Sequence, residues 1–190
     1  MIRRDAMTQL EKLLSQYAAY HLDRRNVVTH FIGIPLIVFS ILCLSAKVGF
    51  IAFGYPVTLA LVLIVLSVIY YLSLDLIFGL TMAIAFALVY PYALIISEMT
   101  VVHWLTFSLS TFVIGWVFQF FGHYYEKKKP AFMDDLIGLI IGPLFVLAEL
   151  IFLFGMRKDL QATMLEEARK QRQIMDSKTL ETVSSHSLKN

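Results

Sequence analysis

The sequence predicts an all-α fold: a polytopic integral membrane helical bundle of four to five spans, with an N-terminal amphipathic helix before it and a polar C-terminal helix after it. Three observations carry this prediction. Of 190 residues, 58% are hydrophobic and only 16% are charged, whereas soluble domains run near half apolar and about a quarter charged. The apolar residues come in runs long enough to cross a hydrocarbon core of about 30 Å at about 1.5 Å per residue. The charges collect at the two ends and in one lysine island. A mean hydropathy of +0.73 excludes disorder and argues against an ordinary soluble enzyme. A single cysteine, Cys43, excludes an intrachain disulfide and a cysteine-based zinc site. The net charge of +2 is too small to indicate nucleic-acid binding.

Residues 5–21 read as an amphipathic helix outside the bilayer core. Leu10, Leu13, Leu14, Tyr17 and Ala18 recur at helical spacing, with Glu11 and Lys12 on the other side. This face can dock on the membrane surface or on the protein's own membrane domain. The charged stretch through Arg25 does not read as a cleaved signal peptide. Asn26 then serves as a natural N-cap for the first span, Val27–Ala46. Lys47, Gly49 and Gly54 mark a turn. The run Tyr55–Ile96 is too long for one crossing, and Ser73 and Asp75 split it into spans near 55–72 and 76–96. A fourth span covers about 103–122. The stretch 136–155 is interrupted by Gly142-Pro143 and either crosses fully or re-enters, and the re-entrant reading is favoured. Residues 1–156 therefore form the membrane-embedded unit. Residues 157–190 form a polar tail, helical over 157–173 and disordered beyond.

Lys and Arg set the orientation. Five precede the first span (Arg3, Arg4, Lys12, Arg24, Arg25), one follows it (Lys47), and three follow the fourth (Lys127 to Lys129). Four crossings return the chain to its starting side, so the N-terminal segment and the lysine island share one face, the cytoplasmic one by charge. The same parity brings His21, His30 and His123 to that face and leaves Glu98 and His103 on the other. His186 lies in the tail.

His21 and His30 are nine residues apart, about half a turn out of phase on one continuous helix. They can converge only if the chain breaks between them, and Asp23-Arg24-Arg25-Asn26 supplies the break. Gln119, His123 and Glu126 follow i, i+4, i+7 spacing and form one stripe, with small Gly122 permitting close helix approach. Two or three histidines plus a carboxylate suit a non-haem Fe(II) centre that activates O2, and zinc accepts the same donors. A single interfacial histidine is more often a hydrogen-bonding anchor. Likewise the lysine island, Arg24 and Arg25 serve either as topology signals on anionic headgroups or as captors of a lipid carboxylate. Glu149, in an apolar run, is an intramembrane carboxylate in need of a partner, and Asp75 lies on the histidine side. Trp104 and Trp116 read as packing or lipid-facing residues.

Tyr20-His21-x4-Asn26-x3-His30-x2-Gly33, then Gly115-Trp116-x2-Gln119-Phe120-x-Gly122-His123, Glu126-Lys-x2-Pro130-Ala131 and Gly142-Pro143-x-Phe145-x3-Glu149 together resemble the 2-hydroxy fatty acid dioxygenase family, over roughly residues 10–155. The resemblance implies an Fe(II)-dependent membrane enzyme, in a bacterial inner membrane or the endoplasmic reticulum, with its active site facing the cytoplasm. It implies α-oxidation: a 2-hydroxy fatty acid and O2 give the acid one carbon shorter, CO2 and water, with no outside reductant. It assigns His21, His30 and His123 as catalytic metal ligands, with Glu126 a further candidate ligand. Only Tyr124 and Tyr125 separate His123 from Glu126, one residue fewer than the family usually has. Asn26, Gln119, Arg25, Lys127 and Lys128 become candidates for binding the substrate, and Glu149 and Asp75 candidates for supporting the ligands from behind. Two alternatives remain. A di-iron hydroxylase or desaturase needs clustered histidine boxes, and five scattered histidines count against it. A non-catalytic lipid-binding protein would use His and Lys as headgroup contacts.

Overall fold

The structure is a computed structural model that describes residues 7–52, 54–127 and 137–187. All but one short hairpin of its regular structure is helical: α1 (Gln9–Ala18), α2 (Arg24–Ala46), the hairpin β1 (Gly49–Ala52) and β2 (Tyr55–Thr58), α3 (Leu59–Leu74), α4 (Leu76–Ser97), α5 (Val101–Glu126), α6 (Ile137–Leu153) and α7 (Lys158–Ser187). Among the described residues, α2, α4 and α5 are long and apolar enough to cross a membrane, and α3 and α6 are apolar but shorter.

Thr8 and Glu11 close a reciprocal capping box on α1, Thr8 N–H donating to Glu11 at 2.7 Å and Glu11 N–H to the Thr8 hydroxyl at 3.2 Å. Its apolar face, Leu10, Leu13, Leu14, Tyr17 and Ala18, is buried against α7 and α6, so α1 packs on the protein itself. The first span differs from the expectation. Asp23, not Asn26, is the N-cap of α2, its carboxylate accepting from Arg25 N–H at 2.9 Å. Asp and Asn cap equally well, and local pattern cannot choose between them. The choice falls to Asp23 because Asn26 is drawn inward and buried inside the first turn. The expected turn after α2 is a hairpin in which Gly49 pairs with Thr58, and Gly54 takes the positive φ of 83° that the reversal requires.

The bundle is ordered by its ends. Lys47, at the far end of α2, donates to the Ser97 and Met99 carbonyls, and Trp104 donates to the Cys43 carbonyl at 2.8 Å. His103 bonds Thr100 beside them, and Glu98 caps α4 there, as span parity requires. At the opposite end, the start of α2 meets the end of α5. These two helices approach closely. A Cβ placed on Gly115 would stand 2.9 Å from the Gly33 carbonyl oxygen, and one on Gly33 would stand 2.8 Å from the Gly115 carbonyl oxygen. Small residues permit such approach between helices in lipid.

α6 starts beside the middle of α2, where Leu139 and Pro143 share a cavity wall with Val38 and Ile41. Just beyond its C-terminal end, Arg157 pairs with Asp75 at 2.7 Å, at the end of the bundle that holds the start of α2. α7 then runs back along α1 on a stripe of Leu160, Met164 and Ala168, all buried. The backbone is helical to Ser187, so the tail past residue 173 is not the disordered segment expected.

Candidate metal centre

His21 sits on the short connector between α1 and α2, His30 lies in the second turn of α2, and His123 is near the end of α5. All three are buried, with 3%, 1% and 6% exposure, and one ring nitrogen from each lies within 4.8 Å of the others. Backbone carbonyls orient two of the rings. His21 Nδ1–H donates to the Tyr17 carbonyl at 2.6 Å, and His30 Nδ1–H donates to the Asn26 carbonyl at 2.8 Å. Because a carbonyl only accepts, both protons are on Nδ1, and both Nε2 atoms carry lone pairs. Those two Nε2 atoms face each other at 3.0 Å. Two acceptors at that distance need a shared proton or a cation between them.

Burial works against a shared proton. Burial, together with the charges that His30 and His123 would carry, holds His21 well below the ordinary histidine pKa. Two imidazoles with their far nitrogens held by carbonyls, and a third ring nitrogen from His123 close by, fit a borderline divalent ion at about 2.0–2.1 Å. Tyr17 stacks on His21, with centroids 4.1 Å apart and planes 5° from parallel. Phe145 closes the same side, its ring 5.6 Å from His21.

A cavity of about 220 Å³ opens beside His123 between α2, α5 and α6. Ile34, Ile37, Val38, Ile41 and Phe112 make it apolar, while Tyr17 and Gln119 add two polar groups. Gln119 is 5% exposed, and its Nε2 has no hydrogen-bond partner among the described residues. A buried amide donor without a partner is costly. Trp116 lines the same cavity.

A family model described as 2-hydroxy-palmitic acid dioxygenase Mpo1-like matches residues 7–154. The chain belongs to that family. It is also 35% identical over 164 residues, 84% of this chain and 90% of the relative, to the 2-hydroxy-palmitic acid dioxygenase MPO1 of Saccharomyces cerevisiae. No solved structure matches.

The Mpo1-like match includes every histidine of the trio, but the surroundings hold a surprise. Glu126 stands outside the three-histidine group. Its Oε2 accepts from Asp23 N–H at 2.8 Å and Asn26 Nδ2 at 3.2 Å, and its Oε1 pairs with Arg172 of α7 at 2.6 Å. Asn26 also donates to the Tyr20 carbonyl at 3.3 Å. These two residues tie the α1–α2 connector to the end of α5.

Arg25 is exposed, paired with Asp23 at 2.8 Å and lying over the Tyr125 ring. Lys127 is exposed and ends α5 in the left-handed region at φ 55°. Lys128 lies outside the described residues. Asp75 caps α4 through Ile77 and Phe78 N–H and pairs with Arg157, so its partners are not the histidines. Glu149 is half-buried on α6 and outside the trio. Arg172 and Tyr17 were missed as site residues. Tyr17 was visible only as one apolar position of α1. Arg172 had one signal, the four-residue spacing of Leu160, Met164 and Ala168, which marks α7 as a docked helix rather than a solvated one.

Proposed function

We propose that this protein is a multi-pass membrane dioxygenase of 2-hydroxy fatty acids that depends on Fe(II) held by His21, His30 and His123. The observation that carries this reading is the pair of facing, carbonyl-oriented Nε2 atoms beside an apolar cavity, in a chain of the Mpo1-like family. The reaction balances without another cofactor: RCH(OH)COOH and O2 give RCOOH, CO2 and H2O, the substrate supplying all four electrons. Fe(II), when bound, supplies the one-electron chemistry that lets O2 react with a closed-shell acid.

The chain's own residues do the rest. Gln119 offers its buried amide N–H to the polar end of the substrate. Ile34, Ile37, Val38, Ile41 and Phe112 take alkyl carbons and keep water from the reacting end. Burial keeps the Tyr17 hydroxyl protonated, and Tyr17 holds the His21 ring by stacking. Asn26 and Glu126 hold the connector, while Arg25 and Lys127, both exposed at the histidine end, are the candidates to draw in the carboxylate. The histidine end faces the cytoplasm by the Lys and Arg distribution, and α6, which starts beside mid-α2 and ends beside Asp75, re-enters from that side. The membrane is a bacterial inner membrane or the endoplasmic reticulum.

Anaerobic loading of purified protein with Fe(II), followed by O2 and 2-hydroxypalmitate, should yield the acid one carbon shorter and one CO2 per O2 consumed. Unchanged substrate with iron bound would refute the substrate assignment.

A further inference from the structure

We propose that Arg172, on the tail helix α7, is a positioning residue for the histidine centre and acts through Glu126. The inference rests on the metal reading above and extends it to a part of the chain beyond the family match, which ends at residue 154.

One guanidinium makes three short contacts. Nη1 donates to the Ala19 carbonyl at 2.9 Å and to Glu126 Oε1 at 2.6 Å, and Nη2 donates to the Glu126 carbonyl at 3.2 Å. The pair is well shielded, with Glu126 2% and Arg172 17% exposed along their side chains. Each contact reaches an element that carries a histidine. Ala19 is two residues before His21. Glu126 is on the turn after His123, and its other oxygen holds the N–H of Asp23, the cap of the helix that carries His30. Asn26, bonded to the same oxygen, supplies the carbonyl that orients His30.

The histidines therefore come from three separate pieces of chain, and the Arg172–Glu126 pair is where those pieces meet. A planar, forked cation suits this role: it can serve two carbonyls and a carboxylate at once, which a lysine ammonium on a flexible stem cannot do in fixed geometry. Loss of the fork leaves Glu126 held by two N–H donors with its charge uncompensated, and the Ala19–Asp23 connector loses an anchor. His21 should then wander from its place opposite His30. Partners behind metal ligands typically govern affinity by about 10–100-fold.

The test is Co(II) titration of the full-length protein in detergent, read by the visible absorption of the bound ion, on wild type, Arg172→Ala, Arg172→Lys, Glu126→Gln, Arg172→Ala/Glu126→Gln and Met164→Ala. Arg172→Ala should bind Co(II) about 10-fold or more weakly with an altered spectrum. Arg172→Lys should recover part of the affinity. The double variant should lose less than the product of the two single losses, because both act on one pair. Met164→Ala loosens α7 on α1 away from the pair and should lower thermal stability while leaving Co(II) affinity as in wild type.

If Arg172→Ala does not fold, Arg172→Lys decides, and wild-type affinity and spectrum in it would overturn the proposal. So would multiplicative losses in the double variant, or an equal loss in Met164→Ala. Absence of Co(II) uptake by wild type, or uptake undiminished by His30→Ala, would instead bring down the metal reading and this inference with it.

Discussion

Replacing Gly115 with alanine sets two effects of opposite sign against each other. On an isolated helix the change is favourable by about 0.8–1.0 kcal/mol, because alanine loses less backbone entropy. In this bundle the new methyl would stand 2.9 Å from the Gly33 carbonyl oxygen and 3.1 Å from the Ile37 nitrogen. Both are backbone atoms of α2 and cannot swing aside. Carbon contacts settle at about 3.5 Å and beyond, so α2 and α5 must part by roughly half an ångström. Overpacking of this kind costs about 1–3 kcal/mol, and a backbone-on-backbone clash belongs at the upper end. The net expected loss is about 2 kcal/mol. At roughly 2–4 °C per kcal/mol for a chain of this size, Tm in detergent should fall by about 4–8 °C, followed by far-UV circular dichroism. Gly115 is two turns from His123, so metal affinity should suffer less than stability. A Tm that rises, as helix propensity alone dictates, would refute the close α2–α5 approach.

Three further outcomes follow from the same geometry. Burial alone would raise the Asp75 pKa, but the Phe78 N–H and the Arg157 guanidinium outweigh it and hold the carboxyl below its ordinary value; a depressed carboxyl stabilises above its unfolded pKa of about 3.9 and ceases to as pH falls through the folded value. Asp75→Asn should therefore lose the part of the acid destabilisation below about pH 4 that this group contributes, and an unchanged acid profile of Tm would contradict the pairing. Ile41→Trp fills the cavity wall distant from His123 and should lower kcat/KM for 2-hydroxypalmitate by about 10-fold relative to shorter 2-hydroxy acids; an unchanged ratio would place the alkyl chain elsewhere. A chelator should lower wild-type Tm, by about 2.7 kcal/mol of stability when free metal had stood at a hundredfold of Kd, and should leave His30→Ala unaffected; equal responses would argue against metal at the trio.

Much of this was legible in the chain. The convergence of His21, His30 and His123 at one end of the bundle was expected from the sequence, but the break between His21 and His30 lies at 19–23, not at 23–26, because Arg24, Arg25 and Asn26 already belong to α2. The buried face of α1 followed from its 3.6-residue period. Boundaries were less legible. Asp23 and Asn26 are equivalent caps by chemistry, and only the pull of Glu126 and the Tyr20 carbonyl on Asn26 decides between them. The hairpin at Gly49–Thr58 was hidden because four-residue strands leave too short a pattern to separate from a loop. The partner of Glu126 was the largest omission. Arg172 lies 46 residues further along the chain, and a charged helix looks solvated until its sparse stripe of Leu160, Met164 and Ala168 is seen to be the side that docks.

The most direct measurement is the iron content of the anaerobically purified protein by elemental analysis, with His21→Ala, His30→Ala and His123→Ala variants prepared alongside. Near one iron per chain in wild type, and little in each variant, is the expected result. An iron-free wild type that nonetheless shortens 2-hydroxypalmitate, or iron retained in all three variants, would contradict a histidine-held iron centre.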